Sequence, residues 1–96
     1  MSNEKIYPIR TLAVRSTRLG DSTFLSVGSD TFELDEVATH IWRRCNGGKT
    51  VEEIAASIES DYDVEIDIAA NDTREFLAEL EDSGLITWQT ETDKEG

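Results

Sequence analysis

His40 is the only histidine of this chain and Cys45 its only cysteine. Two such ligands cannot build a zinc site of the usual four-ligand kind. They lie five positions apart, so they do not share a helix face. On spacing alone His40 reads as a surface or boundary residue, and Cys45 as a small buried hydrophobe on an apolar helix face. Asp61, Asp63, Glu65 and Asp67 alternate as calcium ligands do. The turn glycine and the distal glutamate of a calcium loop are absent, and an interhelical turn with caps accounts for the run better. Gly47-Gly48-Lys49-Thr50 lacks the upstream glycine of a phosphate loop and reads as a helix stop followed by a helix cap. There is no Gly-x-Ser-x-Gly elbow, and His40 has no serine or cysteine partner evident in the sequence. The carboxylates are too many for one to stand out as a general acid or base. No catalytic residue, metal or cofactor is therefore expected, and the remaining chemistry is that of binding.

The elements that would position a binding surface are legible. Phe32 and Leu34 alternate with Thr31 and Glu33, as in a strand. Asp35 stands at an N-cap before the periodic Val37, Ala38, Ile41 and Trp42. Asn46-Gly47-Gly48 ends that helix. Thr50 and Glu53 form a capping box, and Val51, Ile54, Ala55 and Ile58 follow on one face. A third helix carries Ala69, Thr73, Phe76, Leu77 and Leu80 on one side and ends at Ser83-Gly84. Upstream, Leu12 and Val14 suggest a first strand within Ile9–Leu19, and Thr23–Val27 reads as a second, with turns at Gly20-Asp21 and Gly28-Ser29-Asp30. Short strands so closely spaced favour an antiparallel meander. Residues 1–8 read as a flexible lead-in, 9–88 as one folded domain, and 89–96 as a polar flexible tail. Leu85–Trp88 adds a short extended segment, in which Trp88 either packs back or stays exposed.

The chain has 96 residues and a net charge of −12, enough for one domain with a modest core. No apolar run is long enough to span a bilayer, and MSNEKIYPIR has no apolar core of a secretory signal. With a single cysteine no intrachain disulfide forms, and a cytoplasmic setting is the default. The charge is uneven, with Arg10, Arg15 and Arg18 near the start and carboxylates dominating after residue 50. Two helices joined by a short turn beside a small sheet resemble a winged helix-turn-helix. Yet the third helix offers Asp72, Glu75, Glu79, Glu81 and Asp82 against Arg74 alone. That field repels phosphates and anionic membranes and attracts basic partners.

Several segments resemble the PqqD-like family. They are Phe32-x-Leu34-Asp35, Ala38, Ile41-Trp42, Gly47-Gly48 and Thr50-Val51-x-Glu53-Ile54-Ala55. Tyr62-Asp63-Val64, Asp72, Phe76-Leu77-x-x-Leu80 and Gly84-Leu85-Ile86 complete the ordered set, which covers Gly20 to Ile86. Asp35 stands where asparagine is frequent, and Thr73 where a larger aliphatic residue is common. The resemblance implies an α+β fold, a three-stranded antiparallel sheet followed by three helices. It also implies non-catalytic binding of the leader segment of a ribosomally made precursor peptide. The leader would be presented to a modifying enzyme such as a radical SAM protein, in pyrroloquinoline quinone or other peptide-derived natural product biosynthesis. It would dock between the third strand and the third helix. An edge strand carries unpaired N–H and C=O groups that an extended guest can satisfy. The backbone of Thr31, Phe32, Glu33 and Leu34 and the side chains of Asp72, Glu75, Phe76 and Glu79 are the candidates. Phe32, Leu34 and Phe76 fit a core role as well, and the carboxylates a plain solvated surface. An open edge also allows homodimerisation by strand pairing. A winged-helix transcriptional regulator and another protein–protein adaptor are the alternatives.

Overall fold

The computed structural model describes residues 5–91. The chain runs β1 (Lys5–Arg10), β2 (Arg15–Leu19), β3 (Ser22–Val27), β4 (Asp30–Leu34), α1 (Glu36–Arg43), α2 (Val51–Tyr62), α3 (Ile66–Asp82) and β5 (Ile86–Glu91). β2, β3 and β4 form an antiparallel sheet with β3 in the centre, and β1 and β5 form a separate antiparallel ribbon. Among the described residues no helix is long and apolar enough to cross a membrane.

Local chemistry sets the meander and the helices. Gly20 and Gly28 sit at the first position of two-residue turns with φ of +62° and +59°. A side chain there would strain the backbone, and such turns match the twist of the strands they join. The Asp35 carboxylate accepts from the Ala38 N–H at 2.9 Å and starts α1. Thr50 and Glu53 complete both halves of their capping box at the start of α2. Asp63 closes α2 in the left-handed conformation, at φ 56°, which short polar residues tolerate. The run from Asp61 to Asp67 thus spans the end of α2, a turn over residues 63–65 and the start of α3, although Glu65 at the N-cap of α3 makes no side-chain cap bond.

One core joins these pieces. Leu25 and Leu34 from the sheet meet Ile41, Trp42 and Cys45 of the α1 region, Ile54 and Ile58 of α2, and Leu77 and Leu80 of α3. Leu85 and Ile86 lie in the same core, with Trp88 half-buried at its margin. α1 also buries polar groups that periodicity does not reveal. Thr39 Oγ1 donates to Thr23 Oγ1 at 3.0 Å, and His40 is only 8% exposed.

The N-terminal region differs from the sequence expectation. The strand sought within Ile9–Leu19 divides. β1 ends at Arg10, Leu12 is fully exposed in the corner that follows, and β2 starts at Arg15. Residues 5–8 and 89–91, read as lead-in and tail, pair in the ribbon. The positions 1–4 and 92–96 of those two segments lie outside the described residues. The partners are 76 (Arg10 to Ile86) to 86 (Lys5 to Glu91) positions apart, so no local signal announces them. Pro8 is accommodated because its carbonyl accepts from Gly47 N, on the side away from β5. Its missing N–H therefore removes no ladder bond.

Thr73 is fully buried on α3, and its hydroxyl has no hydrogen-bond partner. An unsatisfied buried hydroxyl carries its desolvation cost without return. Thr73→Val keeps the shape and removes the oxygen. It should raise unfolding stability by about 1 kcal/mol, read as a higher urea midpoint at unchanged slope.

Candidate functional site

The β2–β3–β4 register determines which backbone groups of β4 are available. A two-residue turn makes its closing pair hydrogen-bonded, and pairs then alternate along the ladder. Val27–Asp30 closes the second turn, and Leu25–Phe32 and Thr23–Leu34 follow at every second position. Phe32 and Leu34 therefore direct their N–H and C=O groups to β3. Thr31 and Glu33 direct theirs away from it, along a margin where no described strand pairs. The four β4 candidates thus divide into two with outward backbone groups and two whose ladder bonds are internal. Their side chains divide likewise. Leu34 is core, Phe32 is half-buried against it, and Thr31 and Glu33 are exposed.

The α3 candidates share one flank. Ala69, Thr73, Leu77 and Leu80 form the buried stripe. Arg74 Nη2 donates to Glu52 Oε2 at 3.5 Å, which puts α2 along the flank of Arg74. At 100° per residue, Asp72, Glu75 and Glu79 fall on the opposite flank, turned away from α2, and all three are exposed. Phe76 lies between that flank and the stripe and is half-buried against the same core as Phe32. Asn71 Nδ2 donates to Glu75 Oε2 at 3.4 Å. No hydrogen bond or ion pair joins β4 to Asp72, Glu75 or Glu79 among the described residues. The two sets meet only through the core, and the field of Glu33 and the helix flank has one sign. Sequence reading missed Ile68. It is 51% exposed and one turn before Asp72 on the same flank. Its four-residue spacing from Asp72 was the available signal.

His40, Ser57 and Asp61 look at first like a catalytic trio. His40 Nε2 lies 2.9 Å from Ser57 Oγ, and its Nδ1 lies 3.8 Å from Asp61 Oδ2. The hydroxyl proton points elsewhere, because Ser57 Oγ donates to the Ile54 carbonyl at 2.6 Å. Ser57 Oγ must then accept from Nε2–H, and 3.8 Å is too long for an Asp–His hydrogen bond. The arrangement is a polar fastening between α1 and α2, with the Tyr62 ring edge-on to the imidazole at 5.3 Å. The expectation of a surface or boundary histidine gives way to a buried one, because α2 supplies partners that spacing within α1 cannot reveal. Cys45 is fully buried, its thiol donates to the Ile41 carbonyl, and burial pushes its pKa up to about 12. It is no nucleophile. Among the described residues no three His, Cys, Asp or Glu side chains converge as a metal set.

Burial lowers the pKa of His40, helped by Arg44 and Arg43 and opposed by Asp61. The unfolded chain takes up this proton near the ordinary value of about 6.5, and the folded chain only at lower pH. The contribution of His40 to stability is thus complete above that value and is lost as pH falls below it. The imidazole should titrate below its ordinary value by NMR, where a single histidine needs no assignment. His40→Gln should flatten part of the loss of stability as pH falls below about 6.5.

Comparisons with known proteins bear on the fold and the family. The family profile described as Coenzyme PQQ synthesis protein D (PqqD) matches residues 20–86. A solved structure described as TbiB1 in complex with the TbiA(beta) leader peptide is 31% identical, with a TM-score of 0.75. The match covers 81% of this chain and 93% of that one. The PqqD truncation of Methylobacterium extorquens PqqCD, described as a functional and stand-alone recognition element for ribosomally synthesised, post-translationally modified peptides, is 26% identical. Its TM-score is 0.71, over 83% of this chain and 87% of that one. A lasso peptide synthetase B1 complexed with its leader peptide has the same fold at 20% identity and a TM-score of 0.75, over 83% of this chain and 96% of that one. Comparison with curated protein sequences gives no match. The profile spans every element from the first turn of the meander to the start of β5, so the chain belongs to the coenzyme PQQ synthesis protein D family.

Proposed function

We propose that this protein binds the leader segment of a ribosomally made precursor peptide and presents it to a modifying enzyme. The observation that carries the reading is the unpaired margin of β4, along which the backbone groups of Thr31 and Glu33 face out. Two of the similar structures are described as leader-peptide complexes. A guest strand would add to β4 antiparallel or parallel and leave the β3–β4 ladder intact. The protein itself would contribute no bond-making chemistry. A radical SAM protein or another maturase would act on the core of the peptide, and the cytoplasm is the setting we assign. A second copy of the chain would compete for the same margin by strand pairing.

Magnitudes say that the edge alone is insufficient. Thr31 and Glu33 offer two donors and two acceptors, each bond worth about 1 kcal/mol net. A micromolar complex needs about 8 kcal/mol, beyond the cost of ordering the guest. Apolar contacts must supply the remainder. Ile68 and the exposed part of Phe76 are the apolar groups at hand, each burial worth about 1–2 kcal/mol. Asp72, Glu75, Glu79 and Glu33 then select for lysine or arginine in the docked segment.

Two measurements test the reading. Affinity for a cognate leader, followed by calorimetry, should fall as salt rises, because exposed charge pairs are screened. An affinity indifferent to salt would remove the charge part of the argument. Glu33→Pro deletes an outward N–H and no bond to β3. It should weaken leader binding by about fivefold while leaving the thermal midpoint nearly unchanged.

A further inference from the structure

Four of the nine basic residues of this acidic chain gather in one place. Arg10, Arg18, Arg43 and Arg44 line a cleft between β2 and α1 with two lobes of about 190 and 230 Å³. Arg18 and Arg43 wall both lobes. One lobe continues to Arg44, His40 and Tyr62, and the other to Arg10, Thr23 and Trp42. Backbone carbonyls hold these arginines in place. Arg10 Nη1 donates to the Trp42 and Arg43 carbonyls at 3.3 and 3.4 Å, Arg18 Nε to Gly20 at 3.2 Å, and Arg44 Nη1 to His40 at 3.1 Å. The Arg10 guanidinium also stands 5.7 Å from the centre of the Trp42 ring. Among the described residues none of the four forms an ion pair with a carboxylate, in a chain that carries 21 of them. The arginines are positioned, and no ion pair engages their charge.

The strand beside this cleft is also open. The register that turns Thr31 and Glu33 outward on β4 turns Ser16 and Arg18 outward on β2, since Leu19–Ser22, Thr17–Phe24 and Arg15–Ser26 are its bonded pairs. Every residue of β2 is exposed. A row of outward N–H and C=O groups next to four arginines fits an extended polypeptide with carboxylate side chains. Strand addition aligns it, and the planar guanidiniums take its carboxylates. A nucleic acid fits less well, because Asp21 and Glu36 interrupt the same cleft and would repel a continuous row of phosphates.

We propose that this cleft docks an acidic, extended segment of the modifying enzyme. The inference rests on the leader-binding reading, since a protein that holds a leader must also meet the enzyme. β2 and β4 are opposite margins of one sheet, about 10 Å apart, so a leader on β4 and an enzyme segment on β2 can be held together.

The test is a chemical-shift titration of the labelled protein with an alternating Glu-Thr decapeptide and, separately, its Lys-Thr counterpart. The acidic peptide should move the amides of Ser16 and Arg18 and the guanidinium signals of Arg18 and Arg43, and the basic peptide should not. The Arg18→Glu/Arg43→Glu pair should abolish these shifts, and the milder Arg18→Gln/Arg43→Gln pair should weaken them about tenfold with the fold retained. Acidic-peptide shifts that are absent, or spread equally to Arg74, would overturn the proposal. So would an oligothymidine that moves the same signals at lower concentration. With the leader bound, the Gln pair should lower affinity for the modifying enzyme about tenfold and leave leader affinity unchanged. Loss of leader affinity instead would make the precursor the occupant and end the proposal. Failure of the leader to bind at β4 would refute the leader reading and leave the acidic-peptide result at β2 legible.

Discussion

The pairing of β3 with its two neighbours is the constraint from which both proposed binding surfaces follow. Each neighbour is joined to β3 by a two-residue turn with a glycine in the left-handed region. A turn that short leaves no choice of register. The closing pair must be hydrogen-bonded, and every second residue along each outer strand must then face away. Thr31 and Glu33 on one side, and Ser16 and Arg18 on the other, owe their outward backbone groups to this alternation. A one-residue slip would bury the outward groups and expel Leu25 and Leu34 from the core.

Helices make the two margins different. α3 brings Asp72, Glu75 and Glu79 along one flank, and Phe76 and Ile68 add apolar surface there. α1 brings Arg43 and Arg44 beside β2, where Arg10 and Arg18 join them. On the proposed reading the sheet would present an acidic margin at β4 and a basic one at β2, and a guest suited to one would be discouraged from the other, since like charges brought together are costly. The polar fastening of His40 to Ser57 holds α2 against α1 and keeps the basic margin in shape.

The chain also shows why acidity and helix-turn-helix shape must be weighed together. The trio of helices resembles a nucleic-acid-binding arrangement, but the exposed flank of α3 has the wrong sign for phosphate. Four arginines lie instead around β1, β2 and α1 rather than along one recognition helix.

Caps, glycine turns and apolar stripes each act over a few residues, so the meander, all three helices and the family's ordered motifs could be read directly from the chain. Asp35, the Thr50–Glu53 box, and the stripe of Ala69, Thr73, Leu77 and Leu80 are such cases. The candidate surface was legible as far as β4 and the acidic flank of α3. Its division into outward Thr31 and Glu33 and inward Phe32 and Leu34 needed the register. Tertiary structure alone decided the β1–β5 ribbon, the burial of His40 against α2, the exposure of Ile68 and the gathering of the four arginines. The reason is physical. Pairing Lys5 with Glu91, or Arg10 with Trp42, closes a long loop. That closure is repaid only by packing that forms when every element is in place, and it leaves no trace in the neighbouring residues.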